Sequence, residues 1–180
     1  MKKIIKSFLK EIVPIILGIL IAMYINNWNE NTKDKKYINQ ILSSINKELK
    51  ETNEDIKKEL SFQKTLIDSL NFYKNDDKIS IFDVMIKADG IHMPSIKISS
   101  WQAISRSRIE LMKYDRISAL ASIEEQKELL ESKTEHLINF LYPNIKETGI
   151  DNKELIILMM QDIIATERGL QEKIKEIVKD

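Results

Sequence analysis

The stretch from Glu11 to Glu30, EIVPIILGILIAMYINNWNE, constrains the chain more than any other. It holds no charge from Ile12 to Asn29 and follows a lysine-rich leader. Counted only from Ile12 to Ile25, a helix is about 21 Å long, short of the roughly 30 Å hydrocarbon layer of a bilayer. Signal-peptide cores and buried core helices have similar lengths. Counted from Phe8 to Trp28, with Lys10 snorkelling toward the headgroups and Trp28 in the interfacial belt, the helix is about 32 Å and spans. Gly18 and Ala22, the small residues of the run, do not form a small-x-small cleavage site. An uncleaved anchor is therefore expected, with a cleaved signal peptide or a soluble core helix as alternatives.

Lys2, Lys3, Lys6 and Lys10 precede the run, and no lysine stands in the residues just after it, the next being Lys33. The positive-inside rule then puts the N-terminus in the cytoplasm and the bulk of the chain outside, in the periplasm if the membrane is a bacterial inner membrane. Lys6, Lys10 and Trp28 are the expected membrane-interface anchors. One helix face carries Glu11, Pro14, Gly18, Ala22, Asn26 and Asn29, while Ile and Leu cover the rest. Gly18 and Ala22 form a small-xxx-small pair that admits a second helix, and Asn26 can hydrogen-bond across such a contact. Against that association face stands a plainer reading: Gly and Ala are common in membrane helices, and Asn26 lies at the wet interface. Glu11 reads either as an intramembrane acid or as the interfacial partner of Lys10.

The strings EIV, GILIA and INNWNE resemble the N-terminal signature of a family of small Bacteroidota membrane proteins, a domain of unknown function. The match lies at Glu11 to Val13, Gly18 to Ala22 and Ile25 to Glu30. Pro14 departs from the aliphatic residue of the pattern and is expected to kink or shorten the first turns. Ser100 to Met112, SWQAISRSRIELM, looks like the family's downstream segment, without its glycine near Ser107. The resemblance implies a single-pass envelope protein with an exported helical domain, and no activity.

Beyond the anchor, composition argues helix. The chain of 180 residues holds four glycines and three prolines, too few turn formers for a sandwich or barrel. The expected plan is all-α: a basic leader (1–10), a transmembrane anchor (11–29), and an exported domain (30–180) built as an antiparallel three- or four-helix bundle. Apolar residues recur every three or four positions from Ile38 to Leu70, so one helix over about 33–73 is expected to continue the anchor. The heptad series Leu42, Leu49, Ile56, Gln63, Leu70 suggests a coiled-coil seam. Its companion Ile38, Ile45, Thr52, Glu59, Leu66 decays in the middle, which favours packing within a bundle. Ile79 to Ala88 reads as a short helix, with a strand as the alternative. Asp89, Gly90 and Pro94 mark a loop, and Ser99 or Ser100 can cap a helix from Trp101, itself expected as a core anchor. Asp115 offers the next N-cap, for a helix stopping before Pro143. Asp151 and Glu154 have capping-box spacing for the last helix, whose Leu155 to Met160 block is expected to be its most buried part.

Chemistry is sparse. Without cysteine there is no thiol nucleophile, disulfide or thiolate metal site. The four leader lysines leave the remaining chain slightly acidic, with no basic face for nucleic acid. His92 and His136 have no second histidine at ligand spacing, and Glu128, Glu131 and Glu135 beside His136 alternate with lysines as a solvated face. Arg106 and Arg108 near Trp101 can hold an anion, or pair with acids. No cofactor, metal or catalytic group is expected. The expected partners are the lipid bilayer and either a second copy of the chain or another envelope membrane protein. Two roles follow: a membrane-anchored interaction or scaffold protein, or a periplasmic ligand or stress sensor. With about ten residues before the anchor, a sensor would work through a membrane partner.

Overall fold

The computed structural model describes the backbone of residues 2–179 and the side chains of residues 10 and 12–178. Among these the chain is helical and has no strand: α1 (Lys2–Tyr73), α2 (Ile81–Lys87), α3 (Ser99–Ser105), a 3-10 turn (Ile109–Leu111), α4 (Tyr114–Asn144) and α5 (Ile150–Lys179). Two units divide it, Met1–Leu42 and Ser43–Asp180.

In the first unit, α1 is helical on both sides of Pro14. The proline removes one N–H donor without ending the helix. Every large apolar side chain from Val13 to Trp28 is exposed, and α1 has one stretch long and apolar enough to cross a membrane. The core-helix alternative is thereby removed, because a core helix buries such a stripe inside its own domain.

The second unit has four legs running alternately up and down. Its first leg, the part of α1 from Ser43, buries Ile45, Leu49, Thr52, Ile56, Glu59, Gln63, Leu66 and Leu70, a strict alternation of three and four residues. The polar positions where the heptad pattern decays are buried like the aliphatic ones. α5 runs antiparallel to this leg: Gln171 Nε2 donates to Asn53 O at 3.2 Å, Gln63 Nε2 to Glu167 at 2.7 Å, and Lys153 Nζ to Tyr73 O at 2.9 Å. α4 is antiparallel to α5, with Lys173 on Ser122 near one end and Lys133 Nζ 2.8 Å from Asp162 further along. Leu66, Leu70, Ile81, Val84, Leu130, Leu137, Leu141, Ile156, Met160 and Ile163 form one core cluster drawn from all four legs.

The irregular leg is the one that returns from α1 to α4. It consists of α2, a segment without regular structure (91–98) and α3. The stretch read as helix or strand is helix α2. Ser80 caps it in a capping box, its Oγ accepting from Asp83 N at 3.2 Å while its own N–H donates to the Asp83 carboxylate at 3.0 Å. Asp89 and Gly90 follow with φ of 64° and 91°. This left-handed pair, natural for Gly and tolerated by Asp, turns the chain back along α1.

Helix ends depart from expectation where tertiary groups replace local caps. α3 begins at Ser99 with no side-chain cap; instead the Glu48 carboxylate of α1 accepts from Ser100 N at 3.0 Å and Ser100 Oγ at 2.8 Å. Lys113, not Asp115, is the N-cap of α4, and Asp115 lies in its first turn, where a carboxylate still favours the dipole. α4 also runs through Pro143 to Asn144. In that last turn, proline leaves without a donor only the carbonyl of the exposed Asn139. α5 opens at Ile150, with Asp151 inside it, and Glu154 pairs with Lys74 at 3.3 Å. In the Leu155 to Met160 block, Ile156, Ile157 and Met160 are buried, but Leu155 and Leu158 are 39% and 61% exposed. Six residues wrap more than one helical turn and cannot all face inward.

Candidate functional site

A heptad seam normally carries aliphatic side chains, and a buried polar group there requires a partner. α1 supplies Glu48, Thr52, Asp55, Glu59 and Gln63 along one side, and the segment 91–98 with its flanks is laid against them. Gln63 Nε2 donates to His92 O at 3.1 Å, Asp55 Oδ2 accepts from Ser95 N at 2.7 Å, and Thr52 Oγ1 accepts from Lys97 N at 2.9 Å. Glu48 completes the series at Ser100. The register on α1 descends as the segment advances, so the two run antiparallel. Gln63 to Glu48 covers about 22 Å of helix, and the segment crosses it from His92 to Ser100 at about 2.8 Å per residue, an open course short of full extension. A strap without a ladder of its own thus has three of its backbone groups, His92 O, Ser95 N and Lys97 N, met by α1 side chains.

At one end of the strap the bonds converge. His92 Nδ1 lies 2.9 Å from Glu59 Oε2, and Nε2 lies 2.9 Å from Asp89 O, while the ring stacks on Phe62 at 4.2 Å between centroids. Each ring nitrogen thus faces an oxygen, Nδ1 that of a carboxylate on α1 and Nε2 that of a backbone carbonyl. Hydrogen bonding from Lys58 first, and from His92, holds the Glu59 carboxyl below the usual carboxylate range. Gln63 spends both amide hydrogens, one on His92 O and one on Glu167 Oε1. Glu167 and Gln63 are both fully buried. Burial pushes the Glu167 carboxyl up to about 7, against the Gln63 hydrogen bond and with a further push from the Glu59 charge. Gln63 Oε1 and Glu167 Oε2 are buried without a hydrogen-bond partner.

Two further polar anchors frame the bundle. Lys153, fully buried, donates from Nζ to Tyr73 O and Asp76 O at 2.9 and 2.8 Å, satisfying the carbonyls at the end of α1 where a cation is favoured. Trp101, 3% exposed, donates from Nε1 to Glu124 Oε2 at 2.7 Å, and Gln102 Nε2 donates to the other carboxylate oxygen at 3.0 Å. Trp101 is thus a core anchor, fixing α3 on α4. The Gln102 and Trp101 bonds hold the Glu124 carboxyl low.

The residues singled out from sequence fall elsewhere. Gly18, Ala22 and Asn26 lie on one exposed face of α1, and a Cβ at Gly18 would meet nothing within 4 Å. Asn26 Nδ2 donates to Glu30 Oε1 of its own helix at 3.2 Å. Lys10 and Trp28 are exposed, while the Lys6 and Glu11 side chains lie outside the described residues. Arg108 pairs with Glu110 at 3.4 Å. His136, Glu128, Glu131 and Glu135 are all exposed, with Lys127 bonded to Glu131. Among the described residues, no three His, Asp or Glu side chains gather as a metal site.

Sequence reasoning did not assemble the cluster of Glu59, Gln63, His92 and Glu167. One signal was present: Thr52, Glu59 and Gln63 interrupt a seam whose other positions are aliphatic, and Glu167 does the same between Ile163 and Leu170 in α5. The pairing across 104 positions of sequence was not visible.

Comparison with curated proteins and with solved structures returns no match. A family profile described as a family of unknown function, DUF6090, matches residues 11–103, just over half of the chain. That match reaches past Glu30 through α1, α2 and the strap to the middle of α3, the portion in which the strap is bound to the polar side of α1. The chain therefore belongs to the DUF6090 family, a family of unknown function.

Proposed function

We propose that the chain is a membrane-anchored helical interaction protein of the bacterial cell envelope and not an enzyme. In this reading the N-terminus is cytoplasmic, residues 11–29 span the inner membrane and the helical unit stands in the periplasm. One observation carries it: every large apolar side chain from Val13 to Trp28 is exposed, whereas Ser43–Asp180 has a core of its own. Each such side chain left in water forgoes about 1.5–3 kcal/mol, so the run calls for an apolar surrounding. The leader lysines support the orientation. The likeness of EIV, GILIA and INNWNE to small Bacteroidota membrane proteins supports the setting.

The open face of Gly18, Ala22 and Asn26 is the surface proposed for a second copy of the chain or another envelope membrane protein. Crosslinking in native membranes should trap a discrete homo-oligomer or a fixed partner, and Gly18→Leu should weaken that product. A chain released from membranes by carbonate wash, or a monomer without partner before and after the substitution, would overturn the reading. The burial of Glu167 beside an unpaired Gln63 oxygen favours one other role, a sensor module signalling through a membrane partner. A small molecule that raises the thermal stability of a monomeric, partner-free chain would support that role instead.

A further inference from the structure

The pair of Glu167 and Gln63 has one defect and one remedy. Gln63 Nε2 gives its two hydrogens to His92 O and Glu167 Oε1, which fixes the orientation of the amide. Gln63 Oε1 and Glu167 Oε2, both buried, are then left as two acceptors with no donor. A buried polar atom without a partner costs about 1–3 kcal/mol. One proton on Glu167 Oε2 turns the second acceptor into a donor, beside an amide whose own oxygen is the other acceptor left over.

Among the described residues, no cation is bonded to Glu167 in place of that proton. From α1 the facing charge is Glu59, a like charge, whose own partners are Lys58 and His92. From the strap it is His92, whose ring nitrogens turn to Glu59 and to Asp89. Along α4, Lys133 bonds Asp162 and Thr166, and Lys127 bonds Glu131. On α5 itself, Arg168 is exposed, and Lys173 bonds Ser122.

We propose that Glu167 is a proton-operated latch for the strap: with a proton on Oε2 it closes an acid–amide pair with Gln63 that holds residues 91–98 against α1, and loss of that proton to water loosens them. Ionisation places a second carboxylate near Glu59 in a buried position, and the amide that meets it is the one that grips the His92 carbonyl. The strap's remaining backbone ties, Ser95 N to Asp55 and Lys97 N to Thr52, are isolated side-chain bonds without a ladder to sustain them. The sign follows from linkage: a carboxyl raised to about 7 in the folded chain contributes stability that is full below its unfolded value and is lost as pH rises through 7. The latch belongs to the Ser43–Asp180 unit and does not depend on which side of a membrane that unit occupies.

The test is hydrogen–deuterium exchange of the full chain in detergent micelles at pH 5.5 and pH 8, corrected for intrinsic exchange. Between these two pH values a carboxyl that titrates near 7 when latched and at its ordinary value when released shifts the opening equilibrium by roughly 25- to 30-fold, so protection of residues 91–98 should fall by about that factor. Glu167→Gln, which offers the same donor and acceptor at every pH, should keep the strap protected at both. Equal wild-type protection at the two pH values, or an unchanged pH dependence in Glu167→Gln, overturns the latch. If that variant does not fold, a carboxyl 13C titration of wild type decides: a glutamate titrating near pH 7 supports the latch, and all glutamates in the ordinary range overturn it.

Discussion

Single polar side chains at core positions carry much of this fold's specificity. Lys153 is an example, since its aliphatic stem lies in the core while its ammonium closes the end of α1. Lys153→Met keeps the stem, leaves the Asp76 carbonyl without its donor and leaves Tyr73 O with the Asp76 N–H alone, so unfolding stability should drop by about 1–3 kcal/mol. A lower urea midpoint at unchanged slope would show it.

At the scale of elements, the strap and α3 show how a weak segment is held by a strong one. α3 has no local cap, and its N-terminal donors are met by Glu48 across 52 positions of sequence. Glu48→Ala should therefore behave as the loss of an N-cap, about 0.5–2 kcal/mol, with faster amide exchange confined to α3 and the strap. The pairing of α4 with α5 depends instead on aliphatic packing. Leu137→Ala, at a fully buried position of the common core, should cost about 2–5 kcal/mol and lower the midpoint of the whole unit.

For the whole molecule, the relevant curve is stability against pH. Glu59 and Glu124 are held below the usual carboxylate range, so their contribution is present above the unfolded value near 4.5 and is lost as pH falls through their folded values. Glu167 has the opposite sign and loses its contribution as pH rises toward and through about 7. Thermal unfolding should accordingly be most resistant in mildly acidic solution, near pH 5, and weaken on both sides. Glu167→Gln should flatten only the alkaline flank. Since the core cluster lies within Ser43–Asp180, a fragment starting at Ser43 should unfold cooperatively without detergent.

Periodicity and composition by themselves determined the helical class, the long apolar run, the buried stripe of α1 and the approximate bounds of α4 and α5. These are local properties, set by a repeat near 3.6 residues and by the scarcity of glycine and proline. A resemblance to a family of unknown function was read from the run Glu11 to Glu30, and the family profile that matches covers that run and extends to residue 103. Helix starts were less legible, because Glu48 supplies to α3 what a local serine was expected to supply. The cluster of Glu59, Gln63, His92 and Glu167 was decided only by the tertiary structure. Each member is unremarkable in its own window, and what distinguishes them is that folding buries Glu59, Gln63 and Glu167 together beside a half-buried His92 and leaves two oxygens without a donor.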